Sequence, residues 1–135
     1  MTKVLVDTNI WSAFLRRSKE EEQVLRRNIF ELVESSRIAI IGPIRQEILC
    51  GIRDPIRFEK LLEYLDGFSD QEIVTKDYED AARLQNLCSS KGIASSAIDL
   101  LIVAFAVNRG IEIYTRDGDF IRYQQIANLH LYEET

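Results

Sequence analysis

Residues 95–119 read SSAIDLLIVAFAVNRGIEIYTRDGD, and the fold is decided within them. Ser95-Ser96 is capping chemistry ahead of an apolar stretch, Ala97–Val107, that carries one charge, Asp99. Gly110 follows Arg109, where a helix of this length would need a left-handed residue to end. Ile111–Thr115 then changes to a short β-type run, and Asp117 and Asp119 come directly after it. A buried helix feeding a buried strand, with acids at the strand's carboxyl end, is one unit of an α/β sheet.

Working outward, the same grammar recurs. Lys3–Val6 is an apolar strand followed by Asp7-Thr8-Asn9 and a helix carrying Ile10, Trp11, Phe14 and Leu15. A second helix places Val24, Leu25, Ile29, Leu32 and Val33 on one face, and Ile38–Ile41 reads as the second strand. Gly42-Pro43 opens a helix running to about Gly51, and Asp54-Pro55 opens another with Phe58, Leu61, Leu62 and Leu65. Glu72–Thr75 reads as a third strand, and Ala81, Leu84, Gln85 and Cys88 mark the next helix. After the strand Ile111–Thr115, a short helix near Phe120–Gln125 and a last strand, Leu129–Tyr132, complete the chain. No hairpin turn joins two apolar runs. The expectation is one domain over residues 1–135, a three-layer α/β/α sandwich around a central, mainly parallel sheet.

The counts exclude several chemistries. Of 135 residues, 46% are hydrophobic, so one real core is available, and disordered or disulfide-stapled classes are set aside. The lone histidine, His130, reads as a strand residue, which argues against zinc sites rich in histidine and against Ser–His–Asp or Cys–His catalysis. Cys50 and Cys88 form no CxxC and are expected to be reduced and buried, as in a cytoplasmic protein. No signal peptide or membrane span is expected. The net charge of −5 is an unpromising start for a phosphate-binding protein. The acidic stretch Glu63–Asp80 reads as solvated surface.

Certain carboxylates stand where carboxylates are costly. In a parallel sheet all carboxyl ends share one edge, and ligands bind there, so Asp7 and the pair Asp117 and Asp119 are brought together by topology. Asp99 is the one charge in the apolar stretch Ala97–Val107, and burial of an unpaired carboxylate costs several kcal/mol. Each has a plainer reading as well: Asp7 as a helix cap, Asp99 as the third residue of a capping box with Ser96, Asp117 and Asp119 as turn formers. Glu47 lies about 100° from the stripe of Ile44, Ile48 and Ile52, and by itself that placement fits a surface glutamate better than a site residue. Taken together, these acids lack a matching set of bases. A divalent cation relieves their repulsion, and an all-oxygen donor set without His or Cys selects Mg²⁺ or Mn²⁺. That chemistry suits phosphodiester cleavage.

At this point the sequence resembles the PIN-domain family, and within it the VapC-type toxins. The resemblance lies in Val4–Asn9, Gly42–Gly51, Asp99–Ala106 and Ile113–Phe120, in the family's order and approximate spacing. Each motif is weak alone; four in order are specific. The resemblance implies a metal-dependent endoribonuclease acting on single-stranded or structured RNA. It maps an acidic quartet onto Asp7, Glu47, Asp99 and Asp117, with Asp119 as an adjacent fifth acid that is an equal candidate ligand. Asp7, Asp99 and Asp117 or Asp119 would hold Mg²⁺ or Mn²⁺, and Glu47 would position water or act as base. Asn9 and Thr115 match polar positions that support the acids. The family further implies a homodimer and a small VapB-like antitoxin partner. Leu100 departs from the small residue usual after Asp99. Arg16, Arg17, Arg45, Arg53 and Arg116 are the candidates for steering RNA phosphates. The competing readings are a PIN-like RNA-processing nuclease outside any toxin pair, a flap-type nuclease, a receiver-like phospho-acceptor, and a regulatory module with a degenerate site. A receiver needs paired early acids and a late Lys; here Asp7 is alone and no Lys follows Lys91.

Overall fold

The computed structural model describes residues 2–16 and 21–135, so Arg17 lies outside the described residues. The chain runs β1 (Val4–Val6), α1 (Thr8–Leu15), α2 (Gln23–Glu34), β2 (Ile38–Ala39), α3 (Gly42–Leu49), α4 (Pro55–Leu65), α5 (Thr75–Ser90), α6 (Ala97–Arg109), β3 (Glu112–Tyr114) and α7 (Asp119–Tyr123). The strands form one parallel sheet in the order β2-β1-β3. Val4 pairs with Ile38 and Glu112, Leu5 with Ala39 and Ile113, and Val6 with Tyr114. The α/β sandwich expected from the alternation of elements is the architecture observed.

The central strand β1 explains why the sequence there is a continuous apolar run. It is hydrogen-bonded on both sides and covered on both faces, so Val4, Leu5 and Val6 are all fully buried. Helix α6 is apolar all round for the same reason: Leu100 to Ala106 are buried without interruption. It packs most extensively against α5. Gly110 ends it in the left-handed region at φ 64°, where a side chain would be strained.

Two expected strands are corrected. Glu72–Thr75 is not a strand: Thr75 opens α5, and the only pairing in this region is a parallel bridge between Ile40 and Asp70, with Gln71 N donating to Ile40 O at 2.8 Å. The Val74 amide turns away to the Asp77 carboxylate at 2.9 Å, so capping α5 takes the chain out of the sheet. Leu129–Tyr132 likewise contributes a single parallel bridge, Ile113 to Leu131, although Ile113 N and O both bond to it. Cys88 is buried as expected, but Cys50 is exposed because it caps the end of α3 beyond the buried Ile48; both thiols are free.

The acidic stretch is also more than solvated surface. Asp77 is only 1% exposed. Both its oxygens accept from the Arg109 guanidinium at 2.9 Å, and Asn108 adds a further hydrogen bond at 2.9 Å. Arg109 also lies over the Phe105 ring, 3.7 Å from its centroid. This clamp fixes the carboxyl end of α6, whose amino end carries Asp99. Among the described residues, no helix is long and apolar enough to cross a membrane.

Candidate functional site

The site is assembled at the carboxyl edge of the sheet, and its first component is the end of β1. Asp7 N donates to Tyr114 O at 2.9 Å, which extends the β1–β3 ladder by one residue and sets the Asp7 side chain beside Thr115. Asp7 Oδ1 caps α1 by accepting from Thr8 N at 2.8 Å. Asp7 Oδ2 accepts from Thr115 Oγ1 at 2.8 Å and Asn9 Nδ2 at 3.2 Å. The plain capping role and the site role are therefore carried by different oxygens of one carboxylate.

Asn9 ties the two strand ends together. Its Nδ2 donates to Thr115 Oγ1 at 3.0 Å, and its Oδ1 accepts from Arg116 N at 3.0 Å. Thr115 Oγ1 in turn accepts from Asp117 N at 3.1 Å. Asp117 Oδ1 accepts from Asp119 N at 2.9 Å, which turns the chain into α7. The loop that follows β3 is thus held residue by residue from β1.

Asp99 arrives from the other direction. Ser96 Oγ accepts from Asp99 N at 3.1 Å and starts α6, as the capping reading required. The Asp99 carboxylate is not spent on that cap: Asp99 Oδ2 accepts from Tyr123 Oη at 2.9 Å. Carboxylate oxygens of Asp99, Asp117 and Asp119 then lie within 4.8 Å of one another. The buried Asp7 and the exposed Glu47 stand outside this closest triad, near enough for their charges to act on Asp99, and the Thr8 hydroxyl donates to Glu47 Oε2 at 3.0 Å. Asp119 also pairs with Arg122 one turn along α7.

The electrostatics follow from this crowding. Burial raises the pKa of Asp7 above its ordinary value; hydrogen bonds from Thr115 and Thr8 pull it back, and the charges of Asp99 and Glu47 push it up again. Burial likewise raises the pKa of Asp99, with Tyr123 opposing and Asp117 and Glu47 reinforcing the rise. Tyr123 is itself pushed well above the usual phenol range, by burial first and by its bond to Asp99 second. Carboxylates that raise one another's proton affinity across a shared space are the donor set a hard divalent cation fits.

Of the candidate arginines, two are occupied elsewhere. Arg45 pairs with Asp70 at 2.8 Å and donates to the carbonyls of Leu65, at 2.9 Å, and of Phe68, so it is a strut beneath α4 and is not free to steer phosphate. Arg116 pairs with Glu22 at 2.8 Å and approaches Glu134 at 3.6 Å. Arg16 and Arg53 are exposed.

Sequence reasoning missed Tyr123 and Thr8. Tyr123 falls in the short helix expected near Phe120–Gln125, and nothing local shows that a fully buried phenol reaches an acid 24 positions earlier. Thr8 follows Asp7 in a capping sequence, and its contact with Glu47 spans 39 positions. Tyr123→Phe is expected to weaken Mn²⁺ binding about 10- to 100-fold, the effect typical of losing a group that orients a ligand. Isothermal titration with Mn²⁺ checks this; unchanged affinity would show that Tyr123 serves packing alone.

Comparison with known proteins agrees with the geometry. The PIN domain family model matches residues 4–126. The VapC ribonuclease Mb1587 of Mycobacterium bovis is 32% identical over 131 residues, spanning 93% of this chain and 95% of that protein. Ribonuclease VapC11 of Mycobacterium tuberculosis matches to the same extent. Among solved structures, VapBC2 from Rickettsia felis bound to a promoter DNA fragment superposes with a TM-score of 0.79 at 19% identity, over 97% of this chain and 98% of that one. DNA-bound VapBC from Salmonella typhimurium does so with 0.79 at 19%, over 98% of each. With a family match across nearly its whole length and curated relatives at this identity, the chain belongs to the PIN-domain family, on its VapC branch.

Proposed function

We propose that this chain is a Mg²⁺- or Mn²⁺-dependent endoribonuclease, the toxin of a VapBC-type pair, acting as a homodimer and neutralised by a small VapB-like antitoxin. The observation that carries the reading is the Asp99–Asp117–Asp119 triad, its carboxylate oxygens within 4.8 Å, with Asp7 and Glu47 alongside. The ribonuclease relatives supply the substrate class.

Asp99, Asp117 and Asp119 would hold the ion, with Asp7 as a further donor from the end of β1. A divalent ion bound there supplies charge neutralisation at the phosphate and acidifies water at neutral pH. The chain's own part is to set that stage. Tyr123 keeps Asp99 turned inward, and Thr115 and Asn9 fix the Asp7 carboxylate. Glu47, its Oε2 held by the Thr8 hydroxyl, would orient the attacking water and accept its proton. In-line attack would form the new P–O bond from the water as the P–O bond to the leaving oxygen breaks on the opposite side, and that oxygen would take its proton from solvent. With one histidine in the chain, at the exposed position 130, no imidazole is needed or placed for this work.

A labelled single-stranded RNA incubated with the purified chain and Mn²⁺ is expected to be cut internally. EDTA should stop cleavage, and excess Mn²⁺ should restore it. Cleavage indifferent to EDTA would remove the metal from the proposal. No cleavage at all, from a folded chain that binds Mn²⁺, would favour a binding module instead.

A further inference from the structure

We propose that the cleft between α1, α3 and α4 is the track for the RNA single strand flanking the cut, with Arg57 and Lys60 holding its phosphates. The inference rests on the ribonuclease reading and extends it to a surface beyond the acids.

The cleft has a volume of about 400 Å³. Its described lining carries three cations, Arg16, Arg57 and Lys60, and no carboxylate. Leu15, Ile48 and Leu61 contribute an apolar floor. In a chain of net charge −5, three cations around one opening are a local concentration of positive charge; the opening beside Lys3 and Ser36 also lacks acids but carries a single cation. Arg57 and Lys60 form no ion pair among the described residues. Other cations near the sheet edge are neutralised: Arg116 by Glu22, Arg122 by Asp119, Arg45 by Asp70.

The cleft also shares two helices with the acidic site. On α1, Thr8 touches Glu47, while Ser12 and Leu15 line the cleft within about 40° of Thr8 around the helix. On α3, Ile48 lines the cleft next to Glu47. From Thr8 to Arg16 is about 12 Å along a helix, about three stacked nucleotides. A strand whose phosphate lies over the acids has to leave across some surface, and repulsion disfavours every exit lined by carboxylates. This exit offers charge complementarity to the backbone and an apolar floor for bases. Without an aromatic platform it gives little base preference. An acidic helix of a protein partner would meet the same cations, but it has no reason to be continuous with the Thr8–Glu47 end of the site.

The test is fluorescence anisotropy of a labelled 12-nucleotide single-stranded RNA with the full chain in EDTA, between 50 and 200 mM KCl. R57Q/K60Q is expected to weaken binding about tenfold and to reduce the slope of log affinity against log salt by about 1.4, or about 0.7 per lost phosphate contact. R83Q/K91Q, on α5 and at its C-terminal cap, removes the same charge and is expected to leave both unchanged. Equal effects from the two pairs, or none from the first, overturn the proposal. So does a R57Q/K60Q variant that binds RNA normally but loses a labelled acidic amphipathic peptide, since the cleft then belongs to a protein. Adding Mn²⁺ to the wild type with the same RNA tests cleavage separately. A chain that binds through the cleft yet never cuts keeps the cleft as an RNA-binding surface and removes the ribonuclease reading.

Discussion

Asp99→Asn is expected to cut metal-dependent RNA cleavage by about 10²- to 10³-fold or more while leaving the fold intact. The lower bound is the loss that follows removal of one preorganised electrostatic contact to a reacting group. The substitution keeps the shape of the side chain and can keep the contact with Tyr123 Oη, now to a neutral amide oxygen. It removes one of the three charges in the Asp99–Asp117–Asp119 cluster that would hold the cation. Because Asp99 is held at a cost, shown by its raised pKa from burial and from Asp117, neutralising it relieves repulsion. The variant should therefore be as stable as the wild type without metal, or slightly more so, and lose most of the stabilisation that Mn²⁺ confers. Melting curves with and without Mn²⁺, beside the cleavage rate, separate these effects. Full cleavage by Asp99→Asn with Mn²⁺ present would sink the metal-site assignment.

Asp77→Ala carries the largest expected loss of stability. It strands the Arg109 guanidinium, which keeps 29% of its side chain exposed while its partner is buried. Breaking a buried pair by removing one member costs about 3–5 kcal/mol. Arg109 retains solvent, so the lower end applies, about 3 kcal/mol or roughly 10 °C in Tm for a domain of this size. Hydrogen bonds from Arg109, outweighing the opposing effect of burial, lower the Asp77 pKa to about 2. The folded value is depressed, so the pair's contribution is fully present above the ordinary carboxylate value and lost as pH falls through about 2. Denaturant titrations between pH 7 and 2 should show Asp77→Asn with a flatter acid limb than the wild type. A loss below about 1 kcal/mol would show that Arg109 relaxes into solvent at little cost.

Much of the site was legible because its acids break a local rule. Asp99 stands out by lying in an apolar helix, and Asp7, Asp117 and Asp119 by following strands whose carboxyl ends a parallel sheet must gather. Glu47 had no such signature; its place became readable only through the resemblance around Gly42–Gly51. The arginines could not be sorted locally, since an arginine's role depends on which carboxylate its long side chain reaches. Arg45 finds Asp70, 25 positions on, and becomes a strut. Arg57 and Lys60 carry no local mark that would separate them from other charges on α4, and only the cleft brings them together with Arg16.

The fate of the weak strands shows the same division. Glu72–Thr75 has a short strand's composition, yet Asp77 captures the Val74 amide and the helix wins. Leu129–Tyr132 keeps one bridge to Ile113. By itself, then, the sequence determined the alternation of helix and strand, the buried central strand, the helix ends and the excess of acids, because period, capping and charge are local properties. Tertiary structure alone decided the rest: the closure of Asp99 onto Asp117 and Asp119, the reach of Tyr123, the Asp77–Arg109 clamp and the cleft left free of acids. Each is a meeting of residues from different elements, and only the closing of the sheet and its helices sets the distances between them.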